Sequence, residues 1–173
     1  MDAGRLIGKA IPDLSLESSR GGKISLAELV SGKTVLYVYP ATGAGGRDPA
    51  PGWDEIPGAV GCTAQSLGFK NSHDRFRVLG YKVVGVSGQD AAAQAEFAAR
   101  NGIPFPLLCD RGFALAGALG LATFEAGGQT FFQRIALVVQ EGVIRKAFYP
   151  IESPAGNSAE VLDWLSGTEP YEH

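Results

Sequence analysis

Thr34-Val35-Leu36-Tyr37-Val38-Tyr39 is an unbroken run of β-branched and aromatic residues, closed by Pro40. Apolar at nearly every position and too short for a stable helix, it predicts a central strand buried on both faces. A second such run covers 81–87, around Val83, Val84 and Val86. Between the two, Cys62, Phe69 and Phe76 fall at heptad spacing with Leu79 on the same side, and Gly80 stands where a helix ends. That predicts a helix over 62–79. The pattern continues with a helix over 90–101, capped by Asp90 and closed by Gly102, a short strand over 105–108 and a helix over 113–119. Two right-handed crossovers then place the strands at 34–39, 81–87 and 105–108 side by side. Runs at 131–139 and 143–149 flank the turn Gln140-Glu141-Gly142, which predicts an antiparallel pair, and Ser158 is the expected cap of a last helix ending at Leu165. Upstream, 14–17 and 23–26 flank Ser18-Ser19-Arg20-Gly21-Gly22 as a hairpin, followed by a short helix over 27–30. The expected fold class is α/β: one domain over 1–173, a mixed central sheet with helices on both faces, and an N-terminal hairpin.

Composition narrows the function. Hydrophobic residues make up 45% and charged residues 19% of the 173, a globular balance that excludes a disordered chain or a coiled coil. A net charge of −3 with no basic stripe argues against nucleic acid as a partner. Nothing approaches 18 uninterrupted apolar residues, so no membrane-spanning helix is expected. Met1-Asp2-Ala3-Gly4-Arg5 lacks the basic start and apolar stretch of a signal peptide, which makes the cytoplasm the expected location. Two cysteines, Cys62 and Cys109, build neither a disulfide framework nor a four-ligand zinc site.

Two phosphate-loop look-alikes fail on geometry. Gly32-Lys33-Thr34 ends like a Walker A loop, but Ala27 stands at the first glycine position and a strand follows. Gly43-Ala44-Gly45-Gly46 would need its third glycine at Asp48. Cys62 and His73 lie about 16 Å apart along a helix at 1.5 Å per residue, so they form no chelating pair. What remains is the irregular stretch 41–61, with glycine at 43, 45, 46, 52, 58 and 61 and proline at 49, 51 and 57. A structureless segment of that length inside a small domain is usually functional. It delivers Cys62 to a helix start, where free amides and the helix dipole favour thiolate. The competing reading is an inert, buried cysteine packing as a small hydrophobe.

The ordered set Gly8-Lys9-Ala10-Ile11-Pro12-Asp13-Leu14, Tyr39-Pro40, Gly61-Cys62-Thr63-Ala64-Gln65, Val83-Val84-Gly85-Val86-Ser87 and Phe105-Pro106-Leu107-Leu108-Cys109-Asp110 resembles the peroxiredoxins of the bacterioferritin-comigratory type. The resemblance runs from about residue 8 to 165. It implies a thioredoxin-like fold and a thiol peroxidase that reduces hydrogen peroxide or organic hydroperoxides through a sulfenic acid on Cys62. It also implies an arginine at Arg134, which opens Arg134-Ile135-Ala136-Leu137-Val138-Val139; taken alone, Arg134 reads as a solvated strand-end charge. Neither metal nor organic cofactor is required. The implied partners are the hydroperoxide and an external thiol or thioredoxin-like reductant, with the chain a monomer or homodimer.

Three departures stand out. The family spaces proline and cysteine seven positions apart, whereas Pro40 and Cys62 are 22 apart, an insertion of 15. Ala59 occupies the position of the usual hydroxyl, leaving Thr42 as the candidate peroxide contact. Leu67 stands where many relatives carry a resolving cysteine, leaving Cys109 as the internal candidate. The sheet order puts Cys62 and Cys109 on the order of 10 Å apart, beyond the reach of a disulfide, so an outside thiol is the expected resolver. Trp53 and Ile56 are expected to anchor the insertion beside the peroxide entrance. Two other readings stay open. A thiol–disulfide oxidoreductase would share the fold but wants Cys-x-x-Cys, and position 65 is Gln65. A redox-sensing or non-enzymatic module is kept open by the missing hydroxyl at Ala59.

Overall fold

A computed structural model describes residues 1–42, 49–56 and 59–168. The glycine run at 43–46 and His173 lie outside the described residues. The chain forms β1 (Ser15–Ser18), β2 (Lys23–Ser25), α1 (Leu26–Leu29), β3 (Lys33–Val38), α2 (Cys62–Asn71), α3 (His73–Val78), β4 (Tyr81–Ser87), α4 (Ala91–Asn101) and β5 (Leu107–Cys109). It continues with α5 (Ala114–Leu119), β6 (Thr123–Ala126), β7 (Gln129–Phe132), β8 (Ile135–Gln140), β9 (Val143–Phe148) and α6 (Asn157–Thr168). Seven strands make one sheet in the order β2-β1-β5-β4-β3-β8-β9, and β6 and β7 form a separate two-stranded ribbon. β3 pairs parallel with β4 and β4 with β5, while β8 and β9 run antiparallel. The sheet is therefore mixed, with the crossover strands side by side in the expected order.

The period of two along β3 explains its burial. Leu36 and Val38 enter one core with Val84, Val86, Leu115 and Leu119, whereas Val35, Tyr37 and Tyr39 enter the other with Phe69, Phe76, Phe97 and Val161. Helices thus cover both faces. Gly85 in β4 permits tight packing: a Cβ there would stand 2.7 Å from the Leu107 side chain and 3.0 Å from the Tyr37 ring.

Several elements differ from the sequence expectation. The 62–79 helix is broken at Ser72 (φ −100°, ψ 3°) into α2 and α3. Asn71 and Ser72 are residues whose side chains compete with the helical backbone. Cys62, Phe69 and Phe76 nonetheless keep a common core. The third strand begins at Leu107, because Pro106 has no N–H to give to the ladder. Ser158 lies inside α6, which begins at Asn157 with the Glu160 amide bonded to the Gly156 carbonyl. The 131–139 run is two strands separated by Gln133 and Arg134. The ribbon β6–β7 was not expected, although Gly127-Gly128, with φ values of 57° and 77°, suits a two-residue hairpin turn.

That ribbon packs against the described residues of the insertion. Trp53 is buried against Phe131 (ring centroids 4.9 Å) and Phe124 (5.9 Å). Ala41, Ala50 and Ala59 complete this third cluster, and Ile56 packs on it.

Candidate active site

Cys62 is the first residue of α2, preceded by Gly61 at φ 111°. A side chain at Gly61 would be strained in that conformation and would stand 2.8 Å from the Pro154 ring. The thiol is buried and faces Arg134, which comes from the corner between β7 and β8 and is itself only 3% exposed. Arg134 Nη2 lies 3.2 Å from Cys62 Sγ. The same nitrogen donates to the carbonyls of Ala59 at 3.1 Å and Val60 at 3.3 Å, while Nη1 donates to Gln65 Oε1 at 2.7 Å. The guanidinium is thus gripped from two sides. The break between β7 and β8 converts what would be a solvated strand-end charge into a buried one.

Burial pushes the Cys62 thiol above its ordinary value. Arg134 is the strongest opposing influence, followed by a backbone hydrogen bond from Ala41. The expectation that the helix start favours thiolate is therefore outweighed by desolvation. In its protonated form the thiol donates to the Ala59 carbonyl at 3.7 Å. Ala59, at the usual hydroxyl position, contributes its backbone oxygen to both Cys62 and Arg134.

Cys62 opens on a cavity of about 540 Å³ whose lining includes Thr42, Trp53, Ala59, Leu67 and Arg100. Thr42 shares this cavity, but its hydroxyl donates to Gln89 Oε1 at 3.3 Å. Its amide donates to the same oxygen at 2.9 Å, and Gln89 Nε2 returns a bond to the Thr42 carbonyl at 2.9 Å. Gln89 therefore ties down the chain where the insertion begins. Cys109 lies elsewhere, at the end of β5, in register with Ser87 and Glu17. Burial raises its thiol as well. Among the described residues, no group of three or more His, Cys, Asp or Glu is placed to hold a metal ion.

Sequence reasoning missed the contribution of Gln65, although it lies three residues after Cys62 on the same helix face. Gln65 is fully buried and donates from Nε2 to Asn157 Oδ1 at 2.9 Å. Gln89 and Asn157 carried no local signal.

The Redoxin family model matches residues 6–163. The chloroplast peroxiredoxin Q of Arabidopsis thaliana is 36% identical over 105 residues, covering 61% of this chain and 42% of that protein. The Suaeda salsa homologue is 28% identical over 162 residues, covering 91% and 66%. The chain thus spans less than half the length of the Arabidopsis relative. Among solved structures, Mycobacterium tuberculosis peroxidoxin BcpB superposes with a TM-score of 0.75 at 22% identity, covering 94% of this chain and 97% of that one. Xanthomonas campestris peroxiredoxin Q gives 0.73 at 25%, covering 94% and 98%. With the fold matched over nearly its whole length, this thioredoxin-like chain belongs to the Redoxin family, and its likeness there is to the peroxiredoxin Q and bacterioferritin-comigratory proteins.

Proposed function

We propose that the chain is a thiol-dependent peroxidase in which Cys62 reduces hydroperoxides. The observation that carries this reading is the buried guanidinium of Arg134, 3.2 Å from the Cys62 sulfur at the wall of a cavity. The Cys62 thiolate attacks one peroxide oxygen; an S–O bond forms as the O–O bond breaks, and the other oxygen leaves as hydroxide or alkoxide and takes a proton. Sulfur is oxidised by two electrons to sulfenic acid. An outside thiol then attacks that sulfur and releases water, and a second thiol frees Cys62 from the mixed disulfide. Arg134 assists twice, stabilising the thiolate and then the charge moving onto the leaving oxygen.

The cavity is large enough for an organic hydroperoxide, and the similar Xanthomonas campestris bacterioferritin comigratory protein, 26% identical with a TM-score of 0.71, is described for its alkyl peroxide reduction activity. Thr42 is the weaker assignment, since its hydroxyl is already committed to Gln89. Peroxide consumption in the presence of dithiothreitol tests the reading. The parent should turn over and Cys62→Ser should not; equal consumption by both overturns it. A slow redox sensor is the alternative, favoured by the raised Cys62 thiol, and it would show oxidation of Cys62 without turnover.

A further inference from the structure

We infer that Asn157, on α6 and 95 positions beyond Cys62, is a positioning residue for the thiol site, acting through Gln65 and Arg134. Four side chains form one line of hydrogen bonds. Arg134 Nη1 donates to Gln65 Oε1 at 2.7 Å, Gln65 Nε2 donates to Asn157 Oδ1 at 2.9 Å, and Asn157 Nδ2 donates to Glu160 Oε1 at 3.1 Å. Gln65 and Asn157 are both 0% exposed, and Glu160 alone reaches solvent.

The direction of this line is chemically fixed. A guanidinium has only donors, so Gln65 must present its oxygen to Arg134. Its NH₂ then points the other way into a dry interior, where it needs an acceptor, and Asn157 Oδ1 is that acceptor. Asn157 in turn is held in this flip because its own NH₂ donates to the Glu160 carboxylate. Each amide can satisfy the next only in this orientation. Without Asn157, the Gln65 amide loses the acceptor for its Nε2 while Oε1 still faces Arg134, and a long side chain with a stranded buried donor moves to find water. Arg134 Nη1 is then held less firmly, and the guanidinium turns more freely against the sulfur.

The backbone is built for this contact. The segment carrying Asn157 abuts α2 at two glycines, Gly61 just before the helix and Gly68 within it. A Cβ at Gly61 would stand 2.8 Å from Pro154, and one at Gly68 would stand 2.9 Å from Ser158 Oγ and 3.1 Å from the Ala155 carbonyl. Only with both side chains absent does α6 come close enough for Asn157 to reach Gln65. Because Gln65 is a neutral acceptor, this support orients the guanidinium without cancelling its charge at the sulfur.

The inference assumes that Arg134 favours the Cys62 thiolate, but its test does not depend on peroxidase activity. The rate of Cys62 alkylation by iodoacetamide, mapped by peptide mass across pH, reads the thiolate directly. Asn157→Ala should displace the pH profile upward by about one unit, making alkylation about tenfold slower on the rising limb. The same substitution made in a Gln65→Met background should add little, because the residue it acts through is gone. A lowered melting temperature with an unmoved profile, or an undiminished displacement in the Gln65→Met background, overturns the inference. If Asn157→Ala does not fold, the unsubstituted chain decides. The Asn157 side-chain amide resonances should shift with the midpoint at which Cys62 ionises, and resonances that do not respond at that midpoint overturn it.

Discussion

Arg134→Ala removes a positive charge in contact with the Cys62 sulfur. At 3.2 Å and an effective dielectric of about 20, 332/(εr) gives roughly 5 kcal/mol of attraction between guanidinium and thiolate. That is a ceiling of nearly four pKa units at 1.36 kcal/mol each, roughly, since the truncated side chain leaves a hole that water enters and partly replaces the lost donor. A net rise of about two units follows, with about 10²-fold slower oxidation at neutral pH, the range seen when one donor to developing charge is removed. Arg134→Lys should recover only part, because an ammonium cannot grip Gln65 and the Ala59–Val60 carbonyls at once. Stability should fall too, by about 1–3 kcal/mol for the buried carbonyls left without the donor. The assay pairs a thermal melt with the pH dependence of Cys62 alkylation and of single-turnover oxidation by peroxide. An Arg134→Ala protein that is folded but titrates and reacts like the parent refutes the electrostatic role.

Trp53→Ala should change the ratio of rates with organic and hydrogen peroxide more than it changes the melting temperature, because its cluster with Phe124 and Phe131 is separate from the two main cores and opens locally; the reverse pattern makes the insertion a packing feature only. Burial sets the Cys62 thiol above its ordinary 9.0, so the fold favours the neutral form. The stability it contributes is complete below about pH 9 and is lost as pH rises through the folded value. Over the same window the oxidation rate should keep climbing, and a rate already level at pH 7 contradicts this. After one equivalent of peroxide, intact mass should show a gain of oxygen with Cys109 still alkylatable; loss of two hydrogens with neither thiol free would show an internal disulfide instead.

What was legible in the chain followed local pattern. The double-sided burial of 34–39 and 81–87 is written in consecutive apolar residues, and the cap at Asp90 and the closure at Gly102 lie where their side-chain chemistry puts them. The corner at Gln133 and Arg134 was not legible, because Phe131 through Val139 reads as one apolar run broken by only two polar residues. Yet that corner decides where the guanidinium goes. Cys62 was marked by its place at a helix start and Arg134 by the family resemblance alone, whereas Gln89 and Asn157 act across 47 and 92 positions, on Thr42 and Gln65, through contacts that only the packed fold creates. The thiol's ionisation was misjudged for a related reason. A helix start is visible in sequence, but the depth at which it is buried is not.

Whether Cys62 is a peroxide-reducing thiol activated by its site is decided by the second-order rate constant for its oxidation. It should be measured by single-turnover mixing with hydrogen peroxide and with an organic hydroperoxide, product identity being read at the Cys62 peptide. A sulfenic acid should form about 10³-fold or more faster than a free small-molecule thiol reacts at the same thiolate concentration. A rate no faster than that free thiolate would contradict it.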